Sequence, residues 1–164
     1  MGGRGQDYER ELKTILESRD FFVLRSAGSY NVDLIALKGG ITLLIEVKSS
    51  SKNKIYFSPR LRDQLRAFIQ KCEKAEMAPI YCFRIKGSGK GDGWRAFTAP
   101  IELKGVQSLI QRDLSRLKIK GDDEQIRAEM NWGDGTPLSD FLDYIDHLSE
   151  WQKSSTLMRS LSSS

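Results

Sequence analysis

Asp33, Glu46 and Lys48 stand out by type and spacing, because each is set inside an apolar run. The runs read Val32-Asp33-Leu34-Ile35-Ala36-Leu37 and Ile41-Thr42-Leu43-Leu44-Ile45-Glu46-Val47-Lys48, with Lys38-Gly39-Gly40 between them. Charges in the heart of such strands are costly unless partnered. Two converging carboxylates make a hard-oxygen site of the kind Mg2+ takes. A lysine beside them can hold a reacting water or a phosphate oxygen. The set reads as a metal-dependent nuclease centre. The bland alternative is three solvated charges at strand ends, since an acid followed about a dozen residues later by Glu-x-Lys is a loose pattern. The apolar neighbours Leu34, Ile35, Ile45 and Val47 weigh against it.

The elements that must position these groups can be read from periodicity. The two runs form a hairpin around Lys38-Gly39-Gly40, and alternation puts Leu44, Glu46 and Lys48 on one face and Leu43, Ile45 and Val47 on the other. Residues 5–18 read as a helix with Tyr8, Leu12, Ile15 and Leu16 as its apolar stripe. Glu9 and Glu11 flank that stripe on opposite sides, and helical geometry does not choose between them. Phe21–Ser26 is a short β-rich run, and Ala27–Asn31 a turn-rich loop. Ser49–Lys54 reads as a polar loop. Ser58 caps a helix that has Pro59 in its first turn. Leu61, Leu65, Phe68, Ile69 and Cys72 form its apolar face, with Arg60, Arg62 and Arg66 elsewhere as a solvated row or as phosphate contacts. Pro79–Ile85 and Trp94–Thr98 are two further strands, joined by a glycine-rich turn over 87–93 that lacks the spacing of a phosphate loop. Val106–Leu117 suits one amphipathic helix, and Thr136-Pro137 opens another. The core order α-β-β-β-α-β-β implies an α/β domain with a mixed sheet flanked by helices. Residues 1–153 form a single domain in this reading, with a core over about 4–100 and a helical extension over about 101–153. The Ser-rich stretch 154–164 is expected to be disordered.

Composition narrows the chemistry. The chain has 164 residues, 39% of them hydrophobic, enough for a real core. Charge is uneven: residues 1–100 hold 18 Lys and Arg against 11 Asp and Glu, net +7. Residues 101–164 hold 8 against 11, net −3, in keeping with +4 for the whole chain. The basic part carries the acid pair, which favours a polyanionic substrate such as nucleic acid. A single histidine, His147, rules out two-histidine ribonuclease chemistry and is expected in a surface or packing role. Two cysteines make neither a disulfide framework nor a zinc set. No apolar run approaches a membrane span, and no secretory signal is read at the start, so an intracellular location is expected.

Taken together the blocks Arg4-Gly5, Glu9-Arg10-Glu11-Leu12, Val23-Leu24-Arg25-Ser26-Ala27-Gly28-Ser29, Val32-Asp33-Leu34-Ile35-Ala36, Ile45-Glu46-Val47-Lys48 and Gly93-Trp94-Arg95 closely resemble the archaeal Holliday-junction resolvase family, part of the PD-(D/E)XK nuclease superfamily. The resemblance covers roughly residues 4–98. It implies a PD-(D/E)XK nuclease-like mixed sheet and a homodimer working with Mg2+, for which Mn2+ can substitute. It selects Glu9 over Glu11 as the helix carboxylate, and assigns Asp33 and Glu46 as metal-binding acids. It adds the Val47 carbonyl as a further ligand, Lys48 as the active-site lysine and Ser29 as a loop serine near the scissile phosphate. Arg4, Arg10 and Arg25 match its basic blocks and would contact DNA, and the helix bearing Phe68 looks like part of the dimer surface. Two departures are visible. Asn31 stands before Val32-Asp33 where many superfamily members have proline, and the segments 87–93 and about 101–135 are longer than the family pattern.

The function implied is a structure-selective, Mg2+-dependent endonuclease. It resolves four-way junctions by paired symmetric nicks that leave 5′-phosphates, during recombination and repair. Lys52 and Lys54 in the polar loop would join Arg10 and Arg25 on phosphates, giving affinity without reading sequence. A related nuclease acting on flaps, damaged or foreign duplex is one alternative, and a non-catalytic junction-binding protein another. A sliding clamp is a further expected partner, although no clamp-binding box is found near Gln152.

Overall fold

The structure is a computed structural model describing residues 3–25, 32–89, 91–114, 117–120 and 127–162, with the side chains of residues 3–6 and 127 outside that description. Ser29 and the side chain of Arg4 therefore lie outside the described residues. The elements run α1 (Gly3–Ser18), β1 (Phe22–Arg25), β2 (Leu34–Lys38), β3 (Ile41–Ser50), β4 (Lys54–Tyr56), α2 (Pro59–Ala75), β5 (Ala78–Ile85) and β6 (Trp94–Thr98). They continue with α3 (Val106–Leu114), β7 (Lys118–Lys120), β8 (Arg127–Asn131), the short β9 (Thr136–Pro137) and α4 (Leu138–Ser162).

Six strands form one mixed sheet in the order β1-β2-β3-β5-β6-β9, with β3 and β5 parallel and the other neighbours antiparallel. The parallel step follows from α2, which returns the chain to the same end of the sheet. The β2–β3 turn is made by Gly39 and Gly40, both at positive φ (55° and 81°), as a two-residue hairpin turn requires. A Cβ on Gly39 would also strike Ser149 of α4, so the turn and that helix pack closely.

Each sheet face carries its own core. Leu34, Ala36, Leu43 and Ile45 pack with Leu12 and Leu16 of α1, Ile110 of α3 and Phe141, Leu142 and Ile145 of α4. Leu44, Tyr81 and Phe83 face the other way, onto Leu65, Phe68 and Cys72 of α2 and onto Ala128 and Met130 of β8. The period-two reading of β3 is thus the division between the two cores.

Several expectations need correction. Phe68 is 1% exposed and packs edge-on against Tyr81, 5.3 Å between ring centroids, so its side chain belongs to the core and not to an exposed dimer face. Residues 101–153 are not a purely helical extension. The helix expected over 106–117 is described over Val106–Leu114 and does not include Leu117, and β7 and β8 join β4 in a separate three-stranded sheet, order β4-β8-β7. The polar loop after Ser49 is shorter than expected because β3 runs to Ser50 and β4 begins at Lys54. The Ser-rich stretch is helical through Ser162, as the final turns of α4. A helix already nucleated by a packed half extends at small cost per residue, and Leu157, Met158 and Arg159 favour it.

Candidate active site

The acid pair sits where the β2–β3 ladder stops. Leu34 pairs with Ile45 in register, and the next contact is Asp33 N–H to the Ile45 carbonyl at 3.1 Å. Asp33 and Glu46 are therefore opposite each other, on the face that looks toward α2. Asp33 Oδ2 accepts the Val47 N–H at 2.7 Å, which pins the carboxylate against β3. The Val47 carbonyl lies on the same strand edge as its N–H.

The electrostatics follow from this placement. Glu46 is partly buried, and its carboxyl is pushed up from 4.5 to about 8. Burial is the main cause and the negative charge of Asp33 the second. A hydrogen bond with Asp33 adds to the rise, while Lys48 and Lys71 pull the other way. Lys48 thus lies within electrostatic reach of Glu46, as the alternation on β3 requires. Tyr81 stands beside Glu46 on β5, and its phenol is pushed up by burial and then by that carboxylate. Two facing acids in a half-buried setting, with a backbone carbonyl on the same edge, fit a divalent cation. A cation held there would take the place of the Glu46 proton and offset the repulsion between the acids.

Glu9 is not gathered into this pair. Among the described residues no three His, Cys, Asp or Glu side chains come close enough to hold one ion. Glu9 Oε2 accepts instead from Arg25 at 3.1 Å, and that ion pair holds its carboxylate. Glu11, which geometry left open, has a structural role. Its Oε1 accepts from Arg84 Nε and from Trp94 Nε1, both at 3.2 Å, and Arg84 lies over the Tyr8 ring. Ser88 and Gly93 lie against the same arginine, whose guanidinium donates to Ser88. Arg10 and Lys52 are exposed, and Lys54 Nζ is 3.9 Å from Glu129 and 5.4 Å from the Tyr56 ring centroid. His147 is exposed on α4. Lys71 was not singled out from sequence. Only the seating of α2 over β3 brings it near Glu46, and one of two lysines near the end of a helix that also carries three arginines gives no local signal.

An acid pair and an amine at the open end of a mixed α/β sheet flanked by helices are the equipment of a metal-dependent nuclease. Comparison with known proteins then narrows the class. The chain belongs to the archaeal Holliday junction resolvase family, whose sequence profile matches residues 1–146. It is 48% identical over 65 residues to a protein named crossover junction endodeoxyribonuclease Hjc from Methanocaldococcus jannaschii, a stretch covering 40% of this chain and 49% of that relative. The match thus spans about half the length of that relative. The fold is similar to the solved structure of Archaeoglobus fulgidus Hjc, described as a Holliday junction resolvase from an archaeal hyperthermophile. The TM-score is 0.57 at 18% identity, covering 86% of this chain and 97% of that one. At that identity the likeness establishes the fold. Among the described residues no helix is long and apolar enough to cross a membrane.

Proposed function

We propose that this chain is a structure-selective endonuclease that cuts four-way DNA junctions using Mg2+ held by Asp33 and Glu46. The observation that carries the proposal is the facing position of these two acids at the end of the β2–β3 ladder, beside Lys48, in a chain of this family. Resolvase nucleases generally use a divalent metal; Mg2+ is the choice here because both side chains offer hard oxygens. Asp33, Glu46 and the Val47 carbonyl would hold the ion. When bound, it supplies an activated water and neutralises charge on the leaving oxygen. Lys48 positions the attacking water or stabilises the phosphate as negative charge builds. Glu9 holds Arg25 in the free protein; when Arg25 turns to a DNA phosphate, Glu9 is released to complete the acidic set. Ser29 and Arg4 keep their assigned roles beside the scissile phosphate and on DNA, while Arg10, Lys52 and Lys54 engage further phosphates.

Two opposed nicks call for two sites related by a two-fold axis, so the working unit is a homodimer. Its interface is assigned to β1 and β2 in place of Phe68. Phe22, Leu24 and Leu37 are 65%, 46% and 36% exposed, Phe22 pairs with Leu37 across the strands, and β1 is an edge strand. An exposed apolar face on an unpaired edge is the kind of surface that a second copy covers. The test of substrate is cleavage, with Mg2+, of a four-way junction, a flap and a linear duplex of equal length. Preferred cutting of the junction supports the proposal, and preferred cutting of the linear duplex removes it.

A further inference from the structure

The small sheet β4-β8-β7 closes a cleft of about 370 Å3 against α2 that none of the chemistry above uses. Its floor is apolar: Phe57 and Ala128 line it and are each 7% exposed. Its rim is cationic and aromatic, formed by Arg62, Lys118, Lys120 and Tyr56. Tyr56 is 69% exposed, unusual for a large ring, and sits on an edge strand with the Lys54 amine 5.4 Å from its centroid. One acid, Glu129, also lines the cleft, and Lys54 lies 3.9 Å from it. Lys118 is 3.1 Å from Asp134, but both side chains are about half exposed (57% and 43%), so a phosphate can displace that pair at little cost.

We propose that this cleft is a second DNA subsite that takes one unstacked nucleotide, its base against Tyr56 and its phosphate on Lys118 and Lys120. An apolar floor with a cationic rim and an exposed ring is how proteins hold single-stranded nucleotides, and the volume suits a ligand of that size. A phosphate alone would not use the ring or the floor. The subsite adjoins the acid pair: the Phe57 ring meets Tyr81 edge-on, 6.0 Å between centroids, and Tyr81 is the register partner of Glu46. Linear duplex keeps its bases paired and stacked on both sides, whereas pairs at an opened branch point lack a stacked neighbour on one side, so extruding a base there costs less unstacking energy. The cleft therefore supplies a preference for branched DNA that phosphate contacts cannot. It deepens the nuclease reading and rests on that reading only for the source of the nucleotide.

The test is binding by the full chain in chelator, where nothing is cut, to a single-stranded oligothymidylate of about eight nucleotides and to a linear duplex. Tyr56→Ala is expected to weaken oligonucleotide binding about 10-fold and leave duplex binding unchanged, with Tyr56→Phe restoring it. Lys118→Gln combined with Lys120→Gln should lower the slope of log affinity against log salt by about 1.4. An oligonucleotide that does not bind, a Tyr56→Ala chain that binds it as the parent does, or equal losses on both DNAs would overturn the proposal. Junction nicking by the parent in Mg2+ separates the two readings. Nicking without any Tyr56 effect removes only the cleft; Tyr56-dependent binding without nicking removes only the nuclease.

Discussion

At pH 7 Glu46 of the metal-free chain holds a proton, because burial and the neighbouring carboxylate push it up to about 8. The consequence for stability has a definite sign. The folded state binds this proton more tightly than the unfolded state, whose value is 4.5. The stabilisation is therefore complete below about 4.5 and is lost as pH rises through about 8. Metal-free protein should lose on the order of a few kcal/mol across that window, and Glu46→Gln should flatten the loss in urea titrations at each pH. The same proton must leave when Mg2+ enters. Calorimetry in buffers of different ionisation heat should therefore show about one proton released per ion near pH 7 and none near pH 9. Zero release at pH 7 would mean that the pair does not bind the ion. The residues of this pair were legible in the sequence, because charges inside two apolar runs are conspicuous and the period of two gives their face. The pairing of Glu9 with Arg25 was not legible, since which strand α1 lies beside is a tertiary outcome.

At the scale of elements, the two helix carboxylates divide into different tasks. Glu11 joins α1 to β5 and β6 through Arg84 and Trp94, with side chains of the ion pair only 15% and 6% exposed. Glu9 makes a more exposed pair with Arg25. Removing one partner of a buried pair strands the other, so Glu11→Ala should lower stability by about 3 kcal/mol, while Glu9→Ala should cost about 0.5 kcal/mol. Chemical denaturation of both variants checks this, and equal losses would contradict the division. The hairpin, the capped helix α2 and the strands β5 and β6 could be read in advance because each carries its own signal: Gly39-Gly40, Ser58-Pro59 and dense apolar runs. The small sheet could not. Lys54-Ile55-Tyr56 is too short to show alternation, and its partner β8 lies some seventy residues further along, beyond the reach of local pattern. Phe68 shows the converse: its helical spacing alone reads as core, as found, and it was the family resemblance that drew it toward a dimer surface.

At the scale of the molecule, the paired-nick reading requires two copies, and the exposed face of Phe22, Leu24 and Leu37 is where they should meet. Phe22→Asp places a charge on a side chain that is already 65% exposed, so folding should change by no more than about 0.5 kcal/mol. In sedimentation equilibrium the parent should run as a dimer and the variant as a monomer, and on a junction the variant should nick one strand per binding event. A variant that stays dimeric would move the interface elsewhere. The central claim is that Asp33 and Glu46 together hold the ion that cuts the DNA. The most direct test is the rate of four-way junction nicking in Mg2+ by the parent and by Asp33→Ala, with folding of both verified. The account predicts cutting by the parent and a loss of about 1000-fold in the variant, the several kcal/mol that a metal-bound transition state supplies. Equal rates would contradict it.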